Sequence, residues 1–481
     1  MLLSEILEGI EYSGTFKDRE ITGIYSDTDK IKEGGLFVCL IGENTDSHSL
    51  ISLAFRKGAA AVVSQRKIKT ESVIIVKDTA EALAVICSAF YFHPEKKLKL
   101  IGVTGTNGKT SVTHMIKSIL ESVGRKTGLI GTVRVLAGEE VIITSQGLTT
   151  PEPPEMYRLF SEMAESGCEY CVMEVSSQAL AQKRCFGLEF ETAVFTNFTQ
   201  DHLDYHKTMD NYAAAKRQLF LQSKKCLFNK DDPMCGYMSN GIAHSLFYSL
   251  KDKSAGYYGD NVKFDQHGSG FTVHHGGRSV FVSEPIPGIF SVYNALAAFA
   301  CAELEGNKGE KIAEALKKMK PVPGRCEVLS ADAPFSVIID YAHSPDALEN
   351  ILSCVRSFTK GRVVALFGCG GDRDKTKRPL MAAAAADNSD YVIITSDNPR
   401  TENPNRIIED IIPGINNKNI PCAVIPDRTH AIEFAVRNAK AGDSIVLCGK
   451  GHETYQIIGK TKYDYDEREI ALRAIKTYSG V

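Results

Sequence analysis

Leu100-Ile101-Gly102-Val103-Thr104-Gly105-Thr106-Asn107-Gly108-Lys109-Thr110 is the stretch that decides the fold of this 481-residue chain. Leu100 to Thr104 is a short apolar run of the kind that forms a buried strand. Thr110 to Val123 carries apolar side chains at helical spacing, and Gly124 supplies the stop. A strand that turns through glycines into a helix aims backbone amides and a helix N-terminus at one spot, where an anionic phosphate binds. Gly105 and Gly108 let the backbone come close, Lys109 adds charge, and the Thr110 hydroxyl can ligate magnesium. Gly105, Thr106, Asn107, Gly108, Lys109, Thr110 and Ser111 are the expected nucleotide contacts, with ATP and Mg2+ as cofactors. The strict phosphate-loop pattern has a glycine at position 103; this chain has Val103, with Gly102 one place early. Taken alone, the loop therefore also reads as an ordinary glycine-containing strand–helix turn.

Working outward, the strand–helix alternation continues. Tyr170 to Val175 and Thr192 to Thr196 are apolar strands that end in polar residues. Glu174 closes the first and His202 follows the second, and open α/β sheets bind ligands at the carboxyl ends of their strands. Singly, each also reads as a cap or a solvated loop residue. Upstream, Leu36 to Leu40 and Ala59 to Val63 read as strands, with Leu53 to Gly58 as a helix and its stop. His93-Pro94-Glu95-Lys96-Lys97 is a polar, proline-broken linker. Residues 250–285 read as short antiparallel strands before a helix at Val292 to Leu304. A second boundary falls at Lys320-Pro321-Val322-Pro323-Gly324. Beyond it Val337 to Asp340, Val363 to Phe367, Tyr391 to Thr395 and Ser444 to Cys448 read as buried strands. The expectation is an α/β protein of three domains. Residues 1–97 form a small α/β unit, 98–323 a phosphate-loop ATPase-like unit with a mostly parallel sheet, and 324–481 a Rossmann-like unit.

Composition narrows the function classes. The net charge of −3 gives no electrostatic reason for nucleic acid or an anionic membrane as partner. No window approaches the ~20 apolar residues of a membrane span, and the N-terminus lacks the build of a signal peptide, so a cytoplasmic location is expected. The 13 cysteines are scattered through apolar segments, as expected of buried thiols. Cys168 and Cys171 form one Cys-x-x-Cys without the second ligand pair of a zinc site.

Six segments together carry a resemblance. Gly105 to Thr110, Glu174-Val175-Ser176-Ser177, Asp201-His202-Leu203-Asp204-Tyr205-His206, Tyr293-Asn294-Ala295-Leu296-Ala297-Ala298, Pro323-Gly324-Arg325 and Asp340-Tyr341-Ala342-His343-Ser344-Pro345 resemble the Mur ligase family, in the family's order. The resemblance implies a monomeric enzyme that joins a UDP-linked muramyl precursor to an amino acid while splitting ATP to ADP and phosphate. Domain 1–97 would bind the UDP-precursor, 98–323 ATP and 324–481 the amino acid. It implies that Lys109, Thr110, Glu174 and His202 act on the phosphates with Mg2+, that Asn294 meets the adenine, and that Arg325 and Asp340 contact the nucleotide. It also implies that Lys216 is carbamylated and binds a second Mg2+. Without the resemblance, a lysine beside alanines on a helix reads as a solvated side chain.

Thr28, Thr149, Thr150, Ser176, Gln182 and Arg184 match the family's contacts to the UDP-N-acetylmuramoyl dipeptide, though Thr28 and Gln146 sit in segments that depart from the common pattern. Arg184 otherwise reads as a surface charge. Asp397-Asn398-Pro399-Arg400, with Arg373, Gly449 and Glu453, resembles the branch that adds meso-diaminopimelate. That substrate ends in both a carboxylate and an ammonium; Arg400 offers a fork to the first, and Glu453 or Asp397 an acceptor to the second. By itself the segment is a proline turn. Lysine as the added amino acid, a folylpolyglutamate-synthetase-like ligase, a phosphate-loop switch or motor, and a non-catalytic relative are the alternatives.

Overall fold

The computed structural model describes the whole chain except residues 43–44, 69, 144–146, 330–332, 417 and 480–481; Gln146 lies outside the described residues. Three α/β sheets follow one another along the sequence. The first has five strands in the order Tyr12–Ser13, Val73–Val76, Ala59–Ser64, Gly35–Val38, Ile24–Tyr25, parallel except at the Tyr12–Ser13 edge.

The second sheet has eleven strands. At its centre Phe190–Phe195, Lys99–Thr104, Tyr170–Glu174 and Thr127–Ile130 run parallel. Ser223–Asn229 and Ser245–Ser249 extend it in parallel, and Tyr257–Asp265, Gly268–His275 and Arg278–Glu284 add the antiparallel meander expected over 250–285. The other end carries antiparallel strands Val135–Ala137 and Glu140–Ile143, which the sequence pattern did not announce. Central strands such as Tyr170–Glu174 are buried at every position, which explains their largely apolar runs. Helix Lys109–Ser122 buries Val112, Met115, Ile116, Ile119 and Leu120, the i, i+3, i+4, i+7, i+8 stripe of an amphipathic helix. Gly102 has a packing reason: a Cβ there would lie 2.9 Å from both Leu219 and Phe190.

The third sheet has six strands in the order Glu327–Leu329, Ser336–Asp340, Ser444–Cys448, Val363–Phe367, Tyr391–Ile394, Cys422–Val424, antiparallel only at its first edge. A hairpin of Tyr455–Ile458 and Thr461–Asp464 stands beside it. The connection between second and third sheets passes Gly324 at φ +68°, where a Cβ would lie 2.2 Å from the backbone of Gly451 and His452. Only glycine permits that crossing. Cys168 and Cys171 are buried and unpaired. Among the described residues no helix is long and apolar enough to cross a membrane.

Candidate active site

The carboxyl ends of the second and third sheets face each other across a cavity of about 620 Å³. On one side the strand Lys99–Thr104 runs into the glycine loop. Gly105 has φ +152° and Gly108 φ +86°; a Cβ would lie 1.8 Å from Thr196 Oγ1 at the first and 2.5 Å from Asn294 Oδ1 at the second. The loop is therefore a cradle without room for side chains, as close approach to phosphates requires. Lys109 Nζ donates to the carbonyls of Gly105 at 2.8 Å and Thr106 at 2.9 Å. Burial lowers its pKa.

Glu174 lies under the start of the helix. Thr110 Oγ1 donates to its Oε2 at 3.0 Å, and Thr132 adds a backbone amide to Oε1 at 2.8 Å and a hydroxyl to Oε2 at 3.0 Å. Carboxylate and hydroxyl oxygens at the foot of a phosphate loop are the donors Mg2+ prefers. Among the described residues no three His, Cys, Asp or Glu side chains are grouped as a metal cage. An ion here would draw most of its ligands from substrate phosphates and water, as Mg2+ commonly does.

Lys216 is 1% exposed, so the solvated-lysine reading fails. Helix Met209–Leu221 carries it beneath the loop, where Nζ donates to the Gly105 carbonyl at 2.8 Å and sits 4.6 Å from the centre of the Tyr212 ring. Burial first, and Lys109 second, push its pKa well below the ordinary lysine value. The lowered pKa makes the uncharged, nucleophilic form of this amine easier to reach. His202, at φ +55°, lies with Nε2 3.6 Å from Asp201; burial, helped by Lys109 and Lys216, lowers its pKa to about 3.

The precursor candidates gather at the same mouth. Thr149 Oγ1 meets Thr132 Oγ1 at 3.0 Å. Thr150 is turned inward, its hydroxyl donating to the Glu174 carbonyl at 2.8 Å and accepting from the Ser176 amide at 3.0 Å. Arg184 is 8% exposed, not a surface charge; it donates to the Thr150 carbonyl at 2.8 Å, pairs with Glu152 at 2.8 Å and bonds Gln182. Thr28 is buried in the first sheet's unit, apart from the cavity lining.

The third sheet supplies the opposite wall. Asp397, Asn398 and Arg400 follow the strand Tyr391–Ile394, and Gly449 to Glu453 follow Ser444–Cys448. Lys450, absent from the sequence reading, is 0% exposed and ties them together: Nζ lies 3.1 Å from Asn398 Oδ1, 3.2 Å from Glu453 Oε2 and 3.4 Å from Asp397 Oδ1. Burial works to raise the Asp397 pKa, but Lys450 and Arg428 overcome it and hold the carboxyl below its usual range. Burial and Asp397 raise that of Glu453. Arg400, at φ +50°, donates to the Gly371 carbonyl at 2.8 Å; burial and then Arg373 lower its pKa. Both guanidiniums line the cavity, where they can meet an anion.

Several expected contacts stand behind the cavity rather than on it. Gly105, Ser111, Asn294, Thr150, Asp340 and Pro399 do not line it. Asp340 spends both oxygens on backbone amides, Cys326 at 2.7 Å and Ala342 at 2.8 Å. Residues the sequence reading passed over do line it: Thr132, Asp201, Tyr341, His343, Lys377 and His452. Asp201, Tyr341 and His343 lay inside the quoted segments, whereas Thr132 and Lys377 had no pattern of their own.

The chain is similar to known proteins over nearly its whole length. The family model "Mur ligase middle domain" matches residues 103–302, and "Mur ligase, glutamate ligase domain" matches 324–451. The UDP-N-acetylmuramoyl-L-alanyl-D-glutamate--2,6-diaminopimelate ligase 1 of Clostridium acetobutylicum is 44% identical over 484 residues, covering 99% of both chains. The corresponding ligase of Bacillus cereus is 44% identical over 95% of this chain and 94% of its own. A solved structure of a UDP-N-acetylmuramoyl-L-alanyl-D-glutamate--2,6-diaminopimelate ligase superposes with a TM-score of 0.68 at 32% identity, covering 96% of each chain.

Proposed function

This chain belongs to the Mur ligase family, and on that premise we propose that it adds meso-2,6-diaminopimelate to the D-glutamate of UDP-N-acetylmuramoyl-L-alanyl-D-glutamate, consuming ATP. One observation carries the reading furthest: the phosphate loop of the second sheet and the Asp397–Arg400 and Gly449–Glu453 loops of the third line one cavity. A ligase needs its phosphoryl donor and its amine acceptor in one closed space, because an acyl phosphate left open to water hydrolyses. Residues 1–97 would hold the UDP end, 98–323 ATP and 324–481 the amino acid. ATP and a UDP-linked precursor place the reaction in the cytoplasm, and a single chain supplies every group invoked.

The glutamate γ-carboxylate attacks the γ-phosphorus of ATP, ADP departs, and the amine of diaminopimelate then displaces phosphate from the carbonyl carbon. Phosphoryl transfer needs alignment and charge neutralisation more than covalent help. Lys109 swings from its own loop carbonyls to the phosphates, and Arg325 brings a second cation from the third sheet. Glu174 and the Thr110 hydroxyl would hold Mg2+, with His202 and a carbamate on Lys216 at a second ion. Bound there, Mg2+ would supply neutralisation of the phosphate oxygens. Arg400 and Arg373 take the distal carboxylate of the amino acid, and Asp397 and Glu453 its ammonium.

The experiment is ADP release with the UDP-linked dipeptide and a panel of amino acids. Turnover with meso-diaminopimelate, and little with lysine, is expected. Release independent of any amino acid would indicate a plain ATPase instead.

A further inference from the structure

Asp201 accepts one hydrogen bond, from the His202 backbone amide at 2.9 Å, and is otherwise surrounded by cationic or imidazole side chains that do not bond it. His202 Nε2 lies 3.6 Å, Lys377 Nζ 3.7 Å and His343 Nε2 3.8 Å from its carboxylate, all beyond hydrogen-bond range. Of the three, only Lys377 is a lysine, and it reaches Asp201 from the third sheet's unit. Lys377 opens the helix Lys377–Asn388, is 8% exposed and faces the cavity. Among the described residues its ammonium makes no hydrogen bond, and its one ion pair is the 3.7 Å contact with Asp201. An ammonium carries three donors, and here they face the cavity with no protein acceptor among the described residues. Lys109 and Lys216, by contrast, both donate to the Gly105 carbonyl. Lys377 also enters from the other wall, a few residues after the Gly370–Arg373 loop and opposite the phosphate loop.

We propose that Lys377 is a further catalytic residue of the ligation: its ammonium leaves Asp201 and takes the oxygens of the transferred phosphoryl group. The proposal rests on the ligase reading above. In the first step a carboxylate O–P bond forms as the bond from the γ-phosphorus to the β,γ-bridging oxygen breaks, and ADP carries that oxygen away. In the second an N–C bond forms as the C–O bond to the phosphoryl group breaks; inorganic phosphate leaves with that oxygen, and the amine's protons pass to solvent. Lys377 stays protonated throughout and contributes charge. The phosphoryl group meets Lys109 from the loop side and Lys377 from the amino-acid side, so the same cation serves formation and breakdown of the acyl phosphate.

The test uses Lys377→Met and Lys377→Arg in the full-length enzyme with two assays. One is steady-state ADP release with all substrates. The other is positional isotope exchange of the β,γ-bridging oxygen of ATP with the UDP-linked dipeptide and no amino acid, which reads acyl-phosphate formation alone. Lys377→Met should lose about 100-fold or more in kcat and in exchange rate, as removal of such a charge contact typically does. KM for diaminopimelate should stay within about threefold, and Lys377→Arg should recover at least about tenfold of the loss. If thermal melting shows the Met variant unfolded, Lys377→Gln is held to the same figures. A Met variant within about fivefold of wild type in kcat, or a loss confined to KM with exchange intact, overturns the role of Lys377 while leaving the ligase reading standing. Wild-type enzyme that neither exchanges nor ligates overturns both.

Discussion

Arg325 donates from Nη2 to the Thr110 hydroxyl at 3.0 Å, bridging 215 positions of sequence. The same hydroxyl donates to Glu174 at 3.0 Å, so one oxygen joins the phosphate loop, the Glu174 carboxylate and the start of the third sheet's unit. Asn107 reinforces the bridge by donating to Asp346 at 2.8 Å. The loop thus meets a residue from the third unit only because the two units lie against each other, an arrangement that narrows the way for water to the loop.

Lys109→Ala should reduce ligation about 100-fold or more, because charge grows on the phosphates in the transition state and Lys109 meets it from the loop side. ADP release beside a thermal melt checks it. A folded variant keeping above about a tenth of wild-type turnover would remove Lys109 from the mechanism.

Lys216→Ala should be nearly inactive and regain part of its turnover with added acetate or formate, whose carboxylates can enter the space left by a carbamate. The depressed pKa favours carbamate formation, since the neutral amine is the form that adds carbon dioxide. Full turnover without rescue would leave Lys216 a packing residue only.

Arg400→Ala should lose most kcat/KM with meso-diaminopimelate and gain little with lysine. A lysine substrate leaves the half-buried guanidinium without its anion, which costs up to about 2–5 kcal/mol. That corresponds to roughly 30-fold to several-thousand-fold in selectivity, expressed in kcat/KM. Removing a repulsive cation does not build a lysine pocket. Equal use of both amino acids by the wild-type enzyme would overturn the substrate assignment and leave the ligase intact.

Glu284→Gln should flatten the dependence of stability on pH. Glu284 is 4% exposed, its Oε2 accepts from the Ile286 amide at 2.8 Å, and its Oε1 has no partner. Burial raises its pKa from 4.5 to about 8. The folded chain therefore holds a proton that the unfolded chain has released above 4.5. Its stabilising contribution is full below that value and is lost as pH rises towards 8, at up to about 1.4 kcal/mol per pH unit. Denaturation midpoints from acid to mildly alkaline pH should fall for the wild type and fall less for the variant; parallel curves would contradict the assignment.

The sequence by itself determined the strands and their order of use. Leu100 to Thr104, Tyr170 to Glu174, Val363 to Phe367 and Ser444 to Cys448 are buried at every position and mostly apolar, with polar residues such as Thr104, Glu174 and Ser444 at their ends, a signal that needs no partner to be read. The glycine loop was equally legible, since its conformation is a local demand on residues 105 and 108. Side-chain depth was not. Lys216 on its alanine-rich helix and Arg184 in its loop look solvated in one dimension, and only the packing of Met209–Leu221 beneath the loop buries the first. Lys450 and Lys377 carry no pattern because their significance lies in what surrounds them: three polar oxygens in one case and a single distant carboxylate in the other. Local periodicity records which face of an element is buried. The meeting of Arg325 with Thr110 depends on how two sheets close on each other, and that is decided only when the whole chain has folded.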